Sequence, residues 1–178
     1  IAMHAGCGTH IDAPAHCIAG GLTVEQLPLQ NLFVPCVVLD VSERSHERYT
    51  VLQEDIEKFE CRHGLIKNGE FVLIRTGWER FWNDPERYRN NHVFPAVSQQ
   101  VANIFIDRDV VGLGIDTLSP DRPESGFPVH QLLLGAGKYI VENVANSFAL
   151  PVCGSYVSIM PLKGGGLTEA PVRMIGLI

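Results

Sequence analysis

Apolar and polar positions along this chain fall into blocks that predict strands and helices in turn. From Leu32 to Val41, the run Phe33-Val34-Pro35-Cys36-Val37-Val38-Leu39 is apolar and rich in β-branched residues, and reads as a buried strand. Gln53 to Arg62 reads as a helix, with Ile56 and Phe59 on one side. Glu54, Asp55 and Glu57 come early in it, where the helix dipole favours acids, and Gly64 ends it. After the Asn68-Gly69 turn signal, Phe71-Val72-Leu73-Ile74-Arg75 is the next strand. Trp78 to Asn91 is polar and aromatic, and is expected as a surface loop or short helix. Val101, Ile104 and Phe105 recur at helical spacing within Ser98 to Ile106, and Val110 to Ile115 is a strand that ends at Asp116. Pro128 and Val129 open a short helix carrying His130, Leu132, Leu133 and Leu134. Tyr139-Ile140-Val141 is a short strand leading to Glu142. Tyr156 to Met160 and Pro171 to Ile178 are two final strands, joined through Lys163-Gly164-Gly165-Gly166. Strands alternate with helices through the middle and the chain ends in strands, so the fold class is α/β, a mixed sheet with packed helices.

Composition narrows the functional classes. The 178 residues suffice for one domain, residues 1–178, with a sizeable core. With 46% hydrophobic and 19% charged residues the chain is globular rather than disordered. A net charge of -6 without a basic patch argues against a nucleic-acid partner. No apolar run approaches the ~20 residues needed to span a bilayer, so no membrane partner is expected. Cys7, Cys17, Cys36, Cys61 and Cys153 are scattered without pair spacing, which argues against a disulfide framework. With no secretory signal pattern, a reducing, cytoplasmic setting is expected.

The opening segment holds the densest chemistry. Gly8-Thr9-His10-Ile11-Asp12-Ala13-Pro14-Ala15-His16 puts two imidazoles and a carboxylate within seven positions, with His4 just upstream. That donor set suits a divalent metal. If the segment is a strand, His4, Gly6, Gly8, His10 and Asp12 share one face. Pro14 ends that strand, and the turn lets His16 swing back toward the same site.

Elsewhere the residues leave alternatives open. Glu142 follows an apolar run, where a carboxylate needs a cation: a metal, an arginine or a helix N-terminus. His130 at a helix start is a cap, a core histidine or a ligand. Asp116 at a strand end is a functional acid or the cap of the Thr117-Leu118-Ser119 turn. Cys7 is a thiol nucleophile or, more simply, a ligand. His46, His63 and His92 sit in polar surroundings and are expected at the surface. Trp78, Trp82 and Phe94 line an aromatic pocket or pack in the core. Gly164 to Gly166 reads as a hairpin connection, because no Lys-Ser/Thr pair follows as a phosphate loop requires.

Taken together, Gly8-Thr9-His10-Ile11-Asp12-Ala13-Pro14-Ala15-His16 resembles the signature of the metal-dependent cyclase family, which includes bacterial kynurenine formamidases and isatin hydrolases. The likeness continues through Leu73 to Trp78, Gly114 to Ser119, Phe127 to His130, Val141 to Asn143 and Ala170 to Arg173, in order along the chain. It implies a swivelling β/β/α fold and one or two divalent ions per chain, zinc or manganese. It implies His10, Asp12, His130 and Glu142 as metal ligands and His16 as the catalytic acid or base. One position departs from the pattern: Gly6 stands where the family motif has a ligand histidine, and His4 or Cys7 is the candidate substitute. The resemblance further implies a homodimer or homotetramer, and a chain lacking part of the family's amino-terminal segment. The implied activity is hydrolysis of an amide bond in a small molecule, either an aryl formamide such as N-formylkynurenine, in tryptophan catabolism, or a cyclic amide. The alternatives are a lactone or cyclic imide hydrolase of the same fold, or a non-catalytic binding protein with a weakened metal site.

Overall fold

The computed structural model describes residues 2–178. Seven strands close into a barrel: β1 (His10–Asp12), β2 (Phe33–Asp40), β4 (Phe71–Arg75), β6 (Gly112–Ile115), β7 (Tyr139–Glu142), β8 (Ser155–Pro161) and β9 (Glu169–Leu177). Their order around the barrel is β1-β7-β6-β4-β2-β8-β9, and β9 returns to β1. Neighbours from β2 through β4 and β6 to β7 are parallel, whereas β1, β8 and β9 join antiparallel. Two short strands, β3 (Thr50–Val51) and β5 (Ala96–Val97), pair separately. The helices are α1 (Gln53–His63), α2 (Pro85–Arg89), α3 (Gln99–Asp107) and α4 (Pro128–Gly135). Among the described residues no helix is long and apolar enough to cross a membrane.

The pleat sorts the strand residues into two cores. Val34, Cys36, Val38, Phe71, Leu73, Tyr139, Val141, Val157, Ile159 and Ile11 point into the barrel. Their alternates Val37, Leu39, Val72, Ile74, Leu113, Ile115 and Ile140 point outward. They pack against Ile56 and Phe59 of α1, Val101 and Phe105 of α3, and Val129 and Leu133 of α4. Burial on both faces explains the unbroken apolar runs in the sequence. The barrel interior is narrow: Phe71 and Tyr139 stack with ring centroids 5.9 Å apart. A Cβ at Gly112 would meet the Tyr139 ring at 2.6 Å, and one at Gly114 would meet Phe71 at 2.7 Å. Those two inward positions on β6 are glycine because the rings already fill the space.

Three expectations are corrected here. The opening strand is only His10–Asp12; Ala5 and Gly6 form a turn, so strand alternation does not bring His4 onto the face of His10. The segment Trp78 to Asn91 is not merely surface: Trp78 and Tyr88 are buried and cluster with Phe94, with Trp78 Nε1 donating to the Tyr88 carbonyl at 2.8 Å. Aromatic bulk, not the surrounding charge, decides its packing. Asp116 does not cap the turn that follows it. Its carboxylate accepts from Thr76 N at 2.9 Å and Thr76 Oγ1 at 2.7 Å, tying the end of β6 to the end of β4.

Gly114→Ala is therefore expected to lower stability by about 1–3 kcal/mol through overpacking. Gly165→Ala, where an added Cβ meets nothing within 4 Å, should change it by less than about 0.5 kcal/mol. Urea unfolding of both variants checks this. Asp116 supplies a pH test. Burial pushes it up to about 6 against the ionised-form hydrogen bonds from Thr76. A raised folded-state value means a contribution fully present below about pH 4 and lost as pH rises through about 6. Between pH 4 and pH 7, the stability of Asp116→Asn relative to wild type should therefore rise by roughly 2 kcal/mol. Parallel urea titrations at the two pH values would show it; a constant difference would refute it.

Candidate metal centre

The site lies on the outer face of the barrel, where β1 passes between β7 and β9 beneath the start of α4. Ile11 points inward, so its neighbours His10 and Asp12 both point outward. Strand register then supplies their partners. His10 is paired with Glu142 on β7, and Asp12 with Glu169 on β9.

Each buried imidazole is held by one nitrogen and presents the other. His10 Nδ1 lies 2.9 Å from the Gly8 carbonyl, which the turn at Gly8 (φ +67°) aims at it. His130 Nδ1 lies 2.8 Å from Asp121 Oδ2. The same Asp121 carboxylate accepts the backbone N–H groups of Val129 and His130, at 3.1 and 3.0 Å, at the start of α4. In both histidines Nε2 is left facing the carboxylates of the cluster. Outer hydrogen bonds of this kind orient metal-ligating histidines.

The facing atoms are spaced as ligands. His10 Nε2 is 3.6 Å from Asp12 Oδ1 and 3.4 Å from Glu142 Oε2. His130 Nε2 is 3.6 Å from Asp12 Oδ2 and 3.3 Å from Glu142 Oε1. These separations exceed ordinary N–H···O lengths of about 2.7–3.2 Å. Bonds of about 2.0–2.2 Å to a tetrahedral ion place neighbouring donor atoms about 3.3–3.6 Å apart. Asp12 and Glu142 each direct one oxygen at His10 and the other at His130. Asp12 Oδ1 is buried without a hydrogen-bond donor among the described residues, which is costly unless a cation satisfies it. The residues therefore fit one or two divalent ions.

The electrostatics agree. Burial alone would lower the His10 imidazole, but Glu142 and Asp12 outweigh it and hold it up at about 9. Burial likewise opposes the charged form of His130, and Asp12, Asp121 and Glu142 reverse that effect, pushing it up to about 12. Burial raises Glu142, yet the two imidazoles hold it below the usual carboxylate range. This is a negatively charged pocket that demands positive charge at its centre.

His16 ends the single 3₁₀ turn Pro14–His16 that begins at the strand-breaking proline. Its ring lies 6.1 Å from that of His130. Its Nδ1 is 3.2 Å from Glu169 Oε2, and its side chain is 34% exposed. The cluster opens into a cavity of about 530 Å³, walled on its far side by Phe94, Leu118 and Phe127. His92 is exposed as expected but stands on the rim of this cavity.

The structure brings Asp12, His16 and His130 into one group of facing ligand atoms and His10, Asp12 and Glu169 into another; Glu142 lies against His10 and His130, and His4 is exposed, outside both groups. Cys7 is exposed and borders a different hollow, beside Asn146 and Arg173. Of the three aromatic candidates only Phe94 reaches the cavity; Trp78 is buried behind it and Trp82 is half-exposed. Two carboxylates of the candidate site escaped the sequence reading. Asp121 is an acid in a proline-containing loop nine residues before His130, with no local periodicity to mark it. Glu169 carried one faint signal, a lone acid opening the apolar last strand.

Comparison with known proteins places this geometry. The Cyclase family model, described as "Putative cyclase", matches residues 1–122. An isatin hydrolase from Roseibium aggregatum is 29% identical, covering 96% of this chain and 71% of its own length. A kynurenine formamidase from Bacillus mycoides is 28% identical, covering 98% of this chain and 77% of its own length. The crystal structure of an isatin hydrolase bound to the product analogue thioisatinate superposes with a TM-score of 0.92 at 27% identity, covering 99% of this chain and 73% of that one. A structure described as a potential metal-dependent hydrolase with cyclase activity superposes at 0.79 with 30% identity, covering 97% and 79%. With its family model matched over well more than half the sequence, this chain belongs to the cyclase family, and it is a metal-dependent hydrolase.

Proposed function

We propose that the protein cleaves the amide C–N bond of a small aromatic substrate, an aryl formamide such as N-formylkynurenine or a cyclic amide such as isatin. The observation that carries this reading is the pair of carboxylates, Asp12 and Glu142, shared between two Nε2 atoms at ligand spacing. One or two divalent zinc or manganese ions held by His10, Asp12, His130 and Glu142, with His10 and Asp12 on one side of the site and His130 and Glu142 on the other, would polarise a carbonyl and furnish hydroxide near neutral pH. The chain's own residues do the rest. Phe94, Leu118 and Phe127 offer apolar contact to an aromatic ring, in a cavity of about 530 Å³ that suits a small ligand. Phe127, at the cavity edge, holds a left-handed backbone, φ +61°, immediately before Pro128. His16, with Nδ1 engaged by Glu169, has Nε2 available to take a proton from the attacking water and return it to the leaving nitrogen.

The reading extends to the protein's setting. All five cysteines are free thiols, which supports a reducing, cytoplasmic location. Self-association as a homodimer or homotetramer is supported by the outer face of β2, β8 and β9, where Phe33, Tyr156, Met160, Ile175 and Leu177 are each 46–49% exposed and form one apolar strip.

Chelation should abolish turnover, and zinc or manganese should restore it. Asp12→Asn is expected to lose metal and activity together. His16→Ala should keep its metal, measured by elemental mass spectrometry, while kcat falls about 100- to 10,000-fold. Equal loss of metal and activity in His16→Ala would remove it as acid or base. A panel of N-formylkynurenine, isatin, a lactone and a cyclic imide decides the bond cleaved; turnover of the lactone alone would overturn the amide assignment. Tyr156→Glu with Ile175→Glu should shift the sedimentation coefficient to that of the monomer.

A further inference from the structure

Glu169 stands directly opposite Asp12 in the β1–β9 pairing. Two carboxylates in that relation repel one another. Neither has a Lys or Arg nitrogen within 4.0 Å among the described residues; their charged neighbours are His10, His16 and His130. His10, Asp12 and Glu169 can each offer one donor atom, all lying within 4.8 Å of one another. The approach to this trio from the amino-terminal side is through Gly6. A Cβ there would lie 3.2 Å from His10 Nε2 and 3.4 Å from both oxygens of Glu169. Position 6 therefore looks straight at the donor atoms but contributes no side chain, and the Glu169 carboxylate occupies the space in front of it.

We propose that Glu169 is the third protein ligand of the divalent ion at His10 and Asp12, filling the side of the site that Gly6 leaves bare. The assignment rests on the metal-dependent hydrolase reading above. Its Oε2 lies against His16 Nδ1, so the carboxylate that would hold the ion also holds the histidine. Glu169 thereby links the metal to the acid–base histidine, and both are positioned by one residue of β9. The donor set becomes one imidazole and two carboxylates. That set is harder than one with two imidazoles and favours manganese over zinc relative to it.

Manganese and zinc titrations of the metal-free chain by calorimetry test this, with the metal-induced rise in Tm as a second readout. The variants are Glu169→Gln, Glu169→Asp, and Gly6→His combined with Glu169→Gln. Glu169→Gln should weaken manganese binding about tenfold or more and shrink the metal-induced rise in Tm. Gly6→His with Glu169→Gln should recover zinc binding but not the preference for manganese. Glu169→Asp, which keeps the charge but shortens the reach, should also bind manganese more weakly, and it decides the matter if the Gln variant does not fold. Wild-type affinity in Glu169→Gln, whatever happens to kcat, would leave Glu169 as a positioning residue for His16 alone and overturn the proposal. A wild-type chain that binds neither ion would overturn the hydrolase reading itself; one that binds while Glu169→Gln binds equally overturns only the ligand assignment.

Discussion

The site depends on the register of one three-residue strand. β1 runs antiparallel to β7 on one side and to β9 on the other, and that pairing sets His10 against Glu142 and Asp12 against Glu169. A slip of one residue would turn His10 and Asp12 into the barrel and Ile11 out of it. The register is protected by what it would cost to lose: Ile11 is fully buried inside the barrel, beside Val141 and Ala170. Burying two ionisable side chains there in its place would be far more expensive than any loss of hydrogen bonding. The apolar interior and the polar exterior site are thus two consequences of the same pairing.

Around that strand, rigidity is supplied from both sides. Inside, glycines on β6 let Phe71 and Tyr139 fill the barrel without strain. Outside, α4 is anchored by Asp121, whose carboxylate holds both the first N–H groups of the helix and the ring of His130. One residue therefore fixes the helix start and the orientation of the imidazole that projects from it. His16 has a looser mounting, on a short turn at the cavity rim with a single carboxylate partner. That difference suits the tasks proposed for them, since a ligand must be held and a proton carrier must reach.

Much of the frame was legible in the chain itself. The helix at Gln53–His63, the strand at Phe71–Arg75 and the helix opened by Pro128 stand where periodicity, capping and proline place them, because those signals act over a few residues. The mixed sheet with helices packed on it followed from strand and helix alternation. Its closure into a barrel did not, since closure depends on β9 meeting β1 across almost the whole sequence. The surface reading of Trp78 to Asn91 holds for most of its residues but misses two for a related reason: local polarity is high, yet Trp78 and Tyr88 bury themselves against Phe94.

By itself the sequence determined the apolar runs, the breaks between them and the dense histidine and aspartate segment at its start, all set by neighbours in the chain. The likeness of its motifs pointed beyond that to His130 and Glu142. Only the tertiary structure decided that His4 stays outside the site, that Asp121 steadies His130, and that Glu169 faces Asp12. Each of these is a contact, or the lack of one, between residues whose proximity is settled by strand pairing and helix packing rather than by spacing. A donor atom's usefulness to a cation depends on its direction to within about an ångström, and direction at that scale is a property of the folded chain.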